Sequence, residues 1–312
     1  MKIGYVCQSS IIFLIAALAA SSALPQSKRV PSDSDIALVG KRTLGGVTND
    51  FPIDHEMKLG EELSSQIEHD FWIIDDPVVT DYMNSLVRLL AENSDVQIPI
   101  KAQVIYSANP IAIFLAGGYL FISSSLVVQT HNEAELAGIL AHGVAHTALR
   151  SETRNILQLT AIPAAIFFYG EPLGEPFWLI GTTSVPPSAI SRELDAEFDA
   201  DYFGLQYVYK AGFDPNCFID FIDRMSRASA KKTPFNFHAR PIASERIQPM
   251  RKEASEIFPP RAFDVVSTSE YDTVRARLRQ IKLPVPSFRK RDDFDPPIIR
   301  YSPKPGQTTN IN

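Results

Sequence analysis

The sequence predicts an α+β domain, mostly helical, with a small sheet placed just ahead of one central helix. Three observations carry this expectation. Apolar residues recur at helical spacing over several stretches of the 312-residue chain. Two short apolar runs flank a Gly-Gly pair, which is a β-hairpin signal. The stretch AELAGILAHGVAHTALR follows, with His142 and His146 four residues apart and therefore on one face of a helix.

The elements follow in chain order. Lys2, an apolar run over 11–20 and Ser21-Ser22-Ala23 read as a signal peptide over residues 1–23, for export to the periplasm or cell envelope. An uncleaved membrane anchor is the competing reading, but the run is short for a span. Residues 24–50, with Ser, Pro, Gly and mixed charge, read as a linker. The domain is expected over 51–282. A helix over 56–68 turns Met57, Leu59, Leu63 and Ile67 inward. A second starts from Asp75 or Asp76, with Pro77 in its first turn and a buried stripe of Val79, Tyr82, Met83, Leu86, Leu89 and Leu90.

Residues 98–106 alternate like a strand, and 111–115 with 119–123 form the hairpin around Gly117-Gly118. Thr130-His131-Asn132-Glu133 reads as a capping box that opens the histidine helix. Residues 156–187 are apolar and aromatic but broken by Pro163, Pro172, Pro176, Pro186 and Pro187. They read as a long packed loop or a lid, with a membrane-surface contact as the alternative. A helix over 192–210 ends at Ala211-Gly212, and Asp214-Pro215 opens the next. A last helix runs near 270–280. Residues 283–312 form a Pro-rich tail, expected to be disordered.

Composition narrows the function. A formal net charge of -6 argues against a nucleic-acid partner. Of the two cysteines, Cys7 leaves with the signal peptide, so no internal disulfide is expected. Cys217 reads as a small apolar residue rather than a nucleophile.

The histidine pair points to a metal ion. Zinc peptidases use H-E-x-x-H on a helix, where the two histidines bind zinc and the Glu is the general base. The base position here is Gly143. A catalytic zinc takes three protein ligands, so one must come from elsewhere. SRELDAEFDADYFG supplies Glu197, assigned as the third ligand, and Asp201 one turn on, assigned to orient a histidine through its other ring nitrogen. Asp195 is a weaker alternative, and Asp199 points elsewhere by the same periodicity.

Four segments in this order resemble the CAAX prenyl protease and HtpX type of zinc metallopeptidase, peptidase family M48, and especially its soluble periplasmic members. They are DHEMKLGEEL with DDPVVTDYMNSLVRLL, AGGYLFISSSLV with NEAELAGILAHGVAH, SRELDAEFDADYFGLQYVYKAGFDP, and RPIASERI. The resemblance spans roughly residues 51–281. It implies a zincin-like domain that binds one zinc ion through His142, His146 and Glu197, supported by Asp201. It also implies an extended or unfolded polypeptide substrate, lying as an added strand against an edge strand near 119–123.

Three departures surround this cleft. Gly143 stands at the general base. Arg240 replaces the histidine of the late H-P-x-x-x-x-R motif, while Pro241 and Arg246 match. Ile111 and Ala116 replace the Asn and Pro of N-A-F-x-x-P-G-G. Losing the base removes on the order of 100- to 10,000-fold in rate but leaves zinc binding intact. Gly143 also costs its helix about 1 kcal/mol relative to Ala, with nothing nearby in the sequence to offset it. His238, two residues before Arg240, is a weak substitute candidate for metal or oxyanion binding. Glu135 lies two helical turns from His142, too far to act. Three readings follow: an envelope metalloendopeptidase acting on unfolded or misassembled proteins, a non-cutting relative that serves as a peptide-binding chaperone or scaffold, and a purely structural zinc protein.

Overall fold

The computed structural model describes residues 31–44, 51–108, 110–151, 153, 165–169, 187–229 and 243–281. The expected signal peptide, the tail from 283, His238, Arg240 and Pro241 lie outside the described residues, as does most of 156–187.

Helix α1 (Ile53–Asp70) buries Leu59, Leu63 and Ile67 as expected, but Met57 is 41% exposed. Met57 lies two residues, or about 200°, from Leu59, so Glu56 takes the inward position instead. Strand β1 (Trp72–Ile73) follows. Helix α2 (Pro77–Glu92) starts from Asp76, whose carboxylate accepts from the Val78 and Val79 N–H groups at 3.1 and 3.3 Å. Val79, Met83, Leu86 and Leu90 form its buried stripe, and Leu89 is turned outward.

Strands β2 (Lys101–Tyr106), β3 (Ala112–Leu115), β4 (Tyr119–Ser123) and β5 (Ala165–Tyr169) join β1 in one sheet of order β1-β2-β4-β3-β5. Strands β2 and β4 are parallel; the other neighbours are antiparallel. The predicted hairpin is β3-β4, with Ala112 opposite Ile122 and Leu115 opposite Tyr119. Gly117 and Gly118 turn it at φ 73° and 83°, values L side chains rarely adopt.

Two expectations fail here. Residues 165–169 are strand rather than loop or lid. Strand β4 is interior, between β2 and β3, so no peptide can add beside it. The sheet's edges among the described residues are β1 and β5.

The sheet divides two cores. Ala112, Phe114, Leu120 and Ile122 face the larger one, with the helices that follow. Ile113, Leu115 and Phe121 face α1. Burial on both faces is why these strands are continuously apolar rather than alternating.

Helix α3 (Ser124–Gln129) was not anticipated; Ser123 caps it, accepting from the Leu126 N–H. Helix α4 (Glu133–Leu149) then opens two residues later than the proposed capping box. Its cap is Asn132, which accepts from the Glu135 N–H at 2.9 Å, while Glu135 accepts from the His131 N–H at 2.8 Å. Helix α4 is buried nearly all round, as a central helix must be.

Helix α5 (Pro187–Lys210) begins earlier than expected and ends where predicted, with Gly212 at φ 99°. Helices α6 (Pro215–Ser229), α7 (Ala243–Ile257) and α8 (Ser269–Gln280) complete the described chain. Helix α7 had no sequence expectation, because it is polar and carries Pro249 inside.

The expected linker is partly built into the body. Residues 31–44 form two short 3-10 turns, and Arg42 is buried with its guanidinium on Asp95 at 2.6 Å and on the Gln206 side chain at 2.9 Å.

Candidate metal centre

Helices α4 and α5 cross closely enough for side chains one helical turn apart on each to interlock. Gly204 permits this approach: a Cβ there would lie 3.1 Å from the backbone N and Cα of His142. Glu197, Asp201 and Gly204 are spaced i, i+4, i+7, so one face of α5 presents two carboxylates and a smooth contact point to the histidines.

His142, His146 and Glu197 converge. Each offers one ligand atom, and those atoms lie within 4.8 Å of one another with all three residues buried. The two Nε2 atoms are 3.0 Å apart; Glu197 Oε2 is 3.6 Å from His142 Nε2, and Oε1 is 3.4 Å from His146 Nε2. Two metal bonds of about 2.0–2.1 Å at a tetrahedral angle span roughly 3.3 Å, so these separations suit one zinc-sized ion. Glu197 Oε1 is buried with no hydrogen-bond partner, an acceptor that a cation would satisfy. The donor set of two imidazoles and a carboxylate matches zinc chemistry.

The surrounding groups orient this cluster. Asp201 Oδ1 sits 3.0 Å from His142 Nδ1, which turns His142 Nε2 toward Glu197 and His146. Arg246 on α7 donates to both Asp201 oxygens at 2.6 and 2.5 Å and lies 3.1 Å from Glu197 Oε2. One buried guanidinium thus balances two buried carboxylates.

Electrostatics follow from this burial. Burial alone would raise the Glu197 carboxyl, but the Arg246 charge and the two facing histidines hold it well below the usual range. Asp201 is also lowered, again against burial, by Arg246 and then His142. Burial pushes the His146 imidazole down to about 4, only partly offset by Glu197. Each histidine presents its Nε2 to a Glu197 oxygen, the nitrogen through which imidazole can bind a metal.

The other candidates fall away from this point. Glu135 is held by Arg224 at 2.6 Å and serves the helix cap. Asp195, the alternative ligand, is not part of the cluster, and neither is Asp199. The C-terminus of α4 is anchored separately: Arg150, in a left-handed conformation at φ 52°, pairs with buried Glu56 at 2.7 Å.

Sequence reasoning missed Phe114, on β3. Its ring stacks on His146 (centroids 6.2 Å, 28°) and tilts against His142 (6.0 Å, 50°). It also packs on Gly143, so the glycine that looked uncompensated is covered by an aromatic ring. An apolar strand residue carries no sequence signal for such a role.

Comparison with known proteins agrees with this geometry. The profile described as Peptidase family M48 matches residues 77–254, more than half of the chain. A beta-barrel assembly-enhancing protease of Escherichia coli O157:H7 is 26% identical over 277 residues, covering 85% of this chain and 56% of that protein. One of Yersinia pestis is 28% identical over 220 residues, covering 66% and 45%. The mitochondrial metalloendopeptidase OMA1 of Schizosaccharomyces pombe is 25% identical over 194 residues, covering 59% and 56%. The chain spans about half the length of these relatives. The match runs through α2, the hairpin, the α4 histidines and the α5 carboxylates to Arg246, and on that ground the chain belongs to peptidase family M48.

Proposed function

We propose that this chain is a zinc-binding metallopeptidase-type protein of the cell envelope that takes extended or misassembled polypeptides. The observation that carries the proposal is the buried convergence of His142, His146 and Glu197, with Asp201 behind His142. His142, His146 and Glu197 would hold one zinc ion. When bound, that ion polarises a peptide carbonyl and lowers the pKa of water. Asp201 fixes the His142 ring, and Arg246 keeps Asp201 and Glu197 ionised.

Support for an envelope location comes from the apolar run over 11–20 behind Lys2 and from the relatives named beta-barrel assembly-enhancing proteases. No helix among the described residues is long and apolar enough to cross a membrane. A polypeptide ligand is supported by the same names and by a sheet whose last strand among the described residues, β5, offers an edge.

A second reading rests on Gly143: the chain binds zinc and polypeptide but cuts slowly or not at all, serving as a chaperone or scaffold. Metal analysis and casein cleavage separate the readings. The purified chain should carry about one zinc, lost on replacing both His142 and His146 by Ala. Absence of zinc from the native chain would sink both readings. Chelator-sensitive cleavage of casein favours the first; zinc with no cleavage favours the second.

A further inference from the structure

The space beside Gly143 is already filled. A Cβ at this position would lie 2.6 Å from both Cδ1 and Cε1 of Phe114, and 3.1 Å from Cδ2 of Leu120. Carbon atoms that are not bonded prefer about 3.5–4.0 Å. The obstacle is not the loose end of a flexible chain. Phe114 is 1% exposed, on a strand hydrogen-bonded to neighbours on both sides. Its ring is held between the His142 and His146 rings and the floor of the sheet. Position 143 lies between those two histidines on α4, so the ring occupies the volume that any side chain there would need.

We infer that Phe114 and Gly143 are one steric unit: the Phe114 ring takes the place of a side chain at 143 and gives the candidate metal centre a hydrocarbon wall. Two consequences follow, and the second rests on the metallopeptidase-type reading above. Restoring a carboxylate at 143 alone does not install a general base, because the carboxylate has no room beside the ligands. Phe114 is therefore the residue that determines whether this centre can receive one.

The test is a double-mutant cycle read by thermal unfolding, in the full chain with and without a zinc chelator. Gly143→Ala should lower Tm by roughly 2–6 °C, overpacking outweighing the helix propensity that Ala gains over Gly. Phe114→Ala should also lower it, by opening a cavity. The double variant should melt no lower than Phe114→Ala alone, because the added methyl then has space. If Phe114→Ala fails to fold, Phe114→Leu takes its place in the cycle. Additive losses, or a Gly143→Ala that melts like the parent, would overturn the inference.

Casein cleavage then separates this inference from the reading beneath it. Gly143→Glu alone should cut no faster than the parent, and Gly143→Glu with Phe114→Ala should cut about 100- to 10,000-fold faster than that single variant, in a chelator-sensitive way. Chelator-sensitive cleavage by Gly143→Glu alone that matches the double variant and exceeds the parent overturns the steric unit and leaves the peptidase-type reading standing. Coupled melting with no cleavage by either variant overturns the peptidase-type reading and leaves the steric unit standing.

Discussion

At the scale of single residues, the centre depends on one small residue and one large charge. Gly204 lets α5 approach α4 at His142. Gly204→Ala would press a methyl to 3.1 Å from that backbone, so the helices must part by a few tenths of an ångström. The expected result is a loss of about 1–3 kcal/mol in unfolding free energy, with weaker zinc retention against a competing chelator. Unchanged zinc affinity would mean the helix approach does not set the ligand geometry. Arg246 balances Glu197 and Asp201, both buried. Arg246→Ala leaves two buried carboxylates uncompensated and should cost about 3–5 kcal/mol in the metal-free chain. Zinc should recover part of that, since a bound cation supplies the missing positive charge; urea unfolding with and without chelator reads both. Arg246→Lys should recover little, because a single ammonium cannot grip Asp201 at two points. Cys217 is inert by environment: half-buried, with burial and then Asp214 pushing its thiol up to about 11. A raised thiol pKa leaves less thiolate near pH 8, so alkylation by iodoacetamide should be slower than that of a free cysteine by on the order of 100-fold. Fast alkylation would show that the site opens in solution.

At the scale of elements, the edge strand is the consequential piece. Strand β3 carries Phe114 and borders the candidate ligands, and its outer side is paired with β5 from Leu115 opposite Ala165 to Ala112 opposite Tyr169. An extended polypeptide that adds to this side of the sheet, nearest the candidate ligands, must extend from β5 or displace it. Replacing residues 165–169 by a Gly-Ser linker should free the β3 edge. Binding of a labelled unstructured peptide, followed by fluorescence anisotropy, should then tighten about tenfold, given the small worth of each cross-strand pair. Weaker binding would show instead that β5 itself is the docking strand. The capping shift on α4 also belongs here. Asn132 and Glu135 begin the helix, and Thr130 instead ends α3. Residue types at a cap are readable, but Thr130 and Asn132 each have a Glu three residues on, and Asn132 is the cap because Thr130 is taken up as the end of α3.

At the scale of the whole molecule, the segment before residue 45 is part of the body that positions α5. Asp95 accepts from Arg42, from the Gly40 N–H at 2.7 Å and from the Tyr207 hydroxyl at 3.0 Å, and Arg42 also reaches Gln206. Tyr207 and Gln206 lie on the helix that carries Glu197 and Asp201. Asp95→Ala should cost about 3–5 kcal/mol by leaving a buried guanidinium without its partner. Limited proteolysis should then cut within 31–44 well before the rest of the chain. Resistance equal to the parent's would mean that Gln206 and the backbone hold the segment without Asp95.

Much of this was legible beforehand, and for definite reasons. The helical stripes of α1 and α2, the β3-β4 hairpin, the start of α2 and the C-terminal end of α5 follow from local rules: the 3.6-residue period, Gly-Gly turns, Pro and Asp at helix starts. His142, His146, Glu197 and Asp201 could be nominated because pairs four residues apart must share a helix face. Nothing local says that two faces meet. Their convergence required Gly204 to let α4 and α5 close, and Arg246 to make two buried carboxylates tolerable. Met57 and Leu89 fall within the predicted inward helical stripes but lie exposed at their margins. The interior position of β4, the strand at 165–169 and the docking of Arg42 are pairings between segments distant in sequence, which no window of neighbouring residues encodes. The sequence alone thus determined which chemistry this protein can carry, because ligand types and spacings are local. Only the tertiary structure decided that the place beside Gly143 is taken by Phe114, because packed volume belongs to the whole fold.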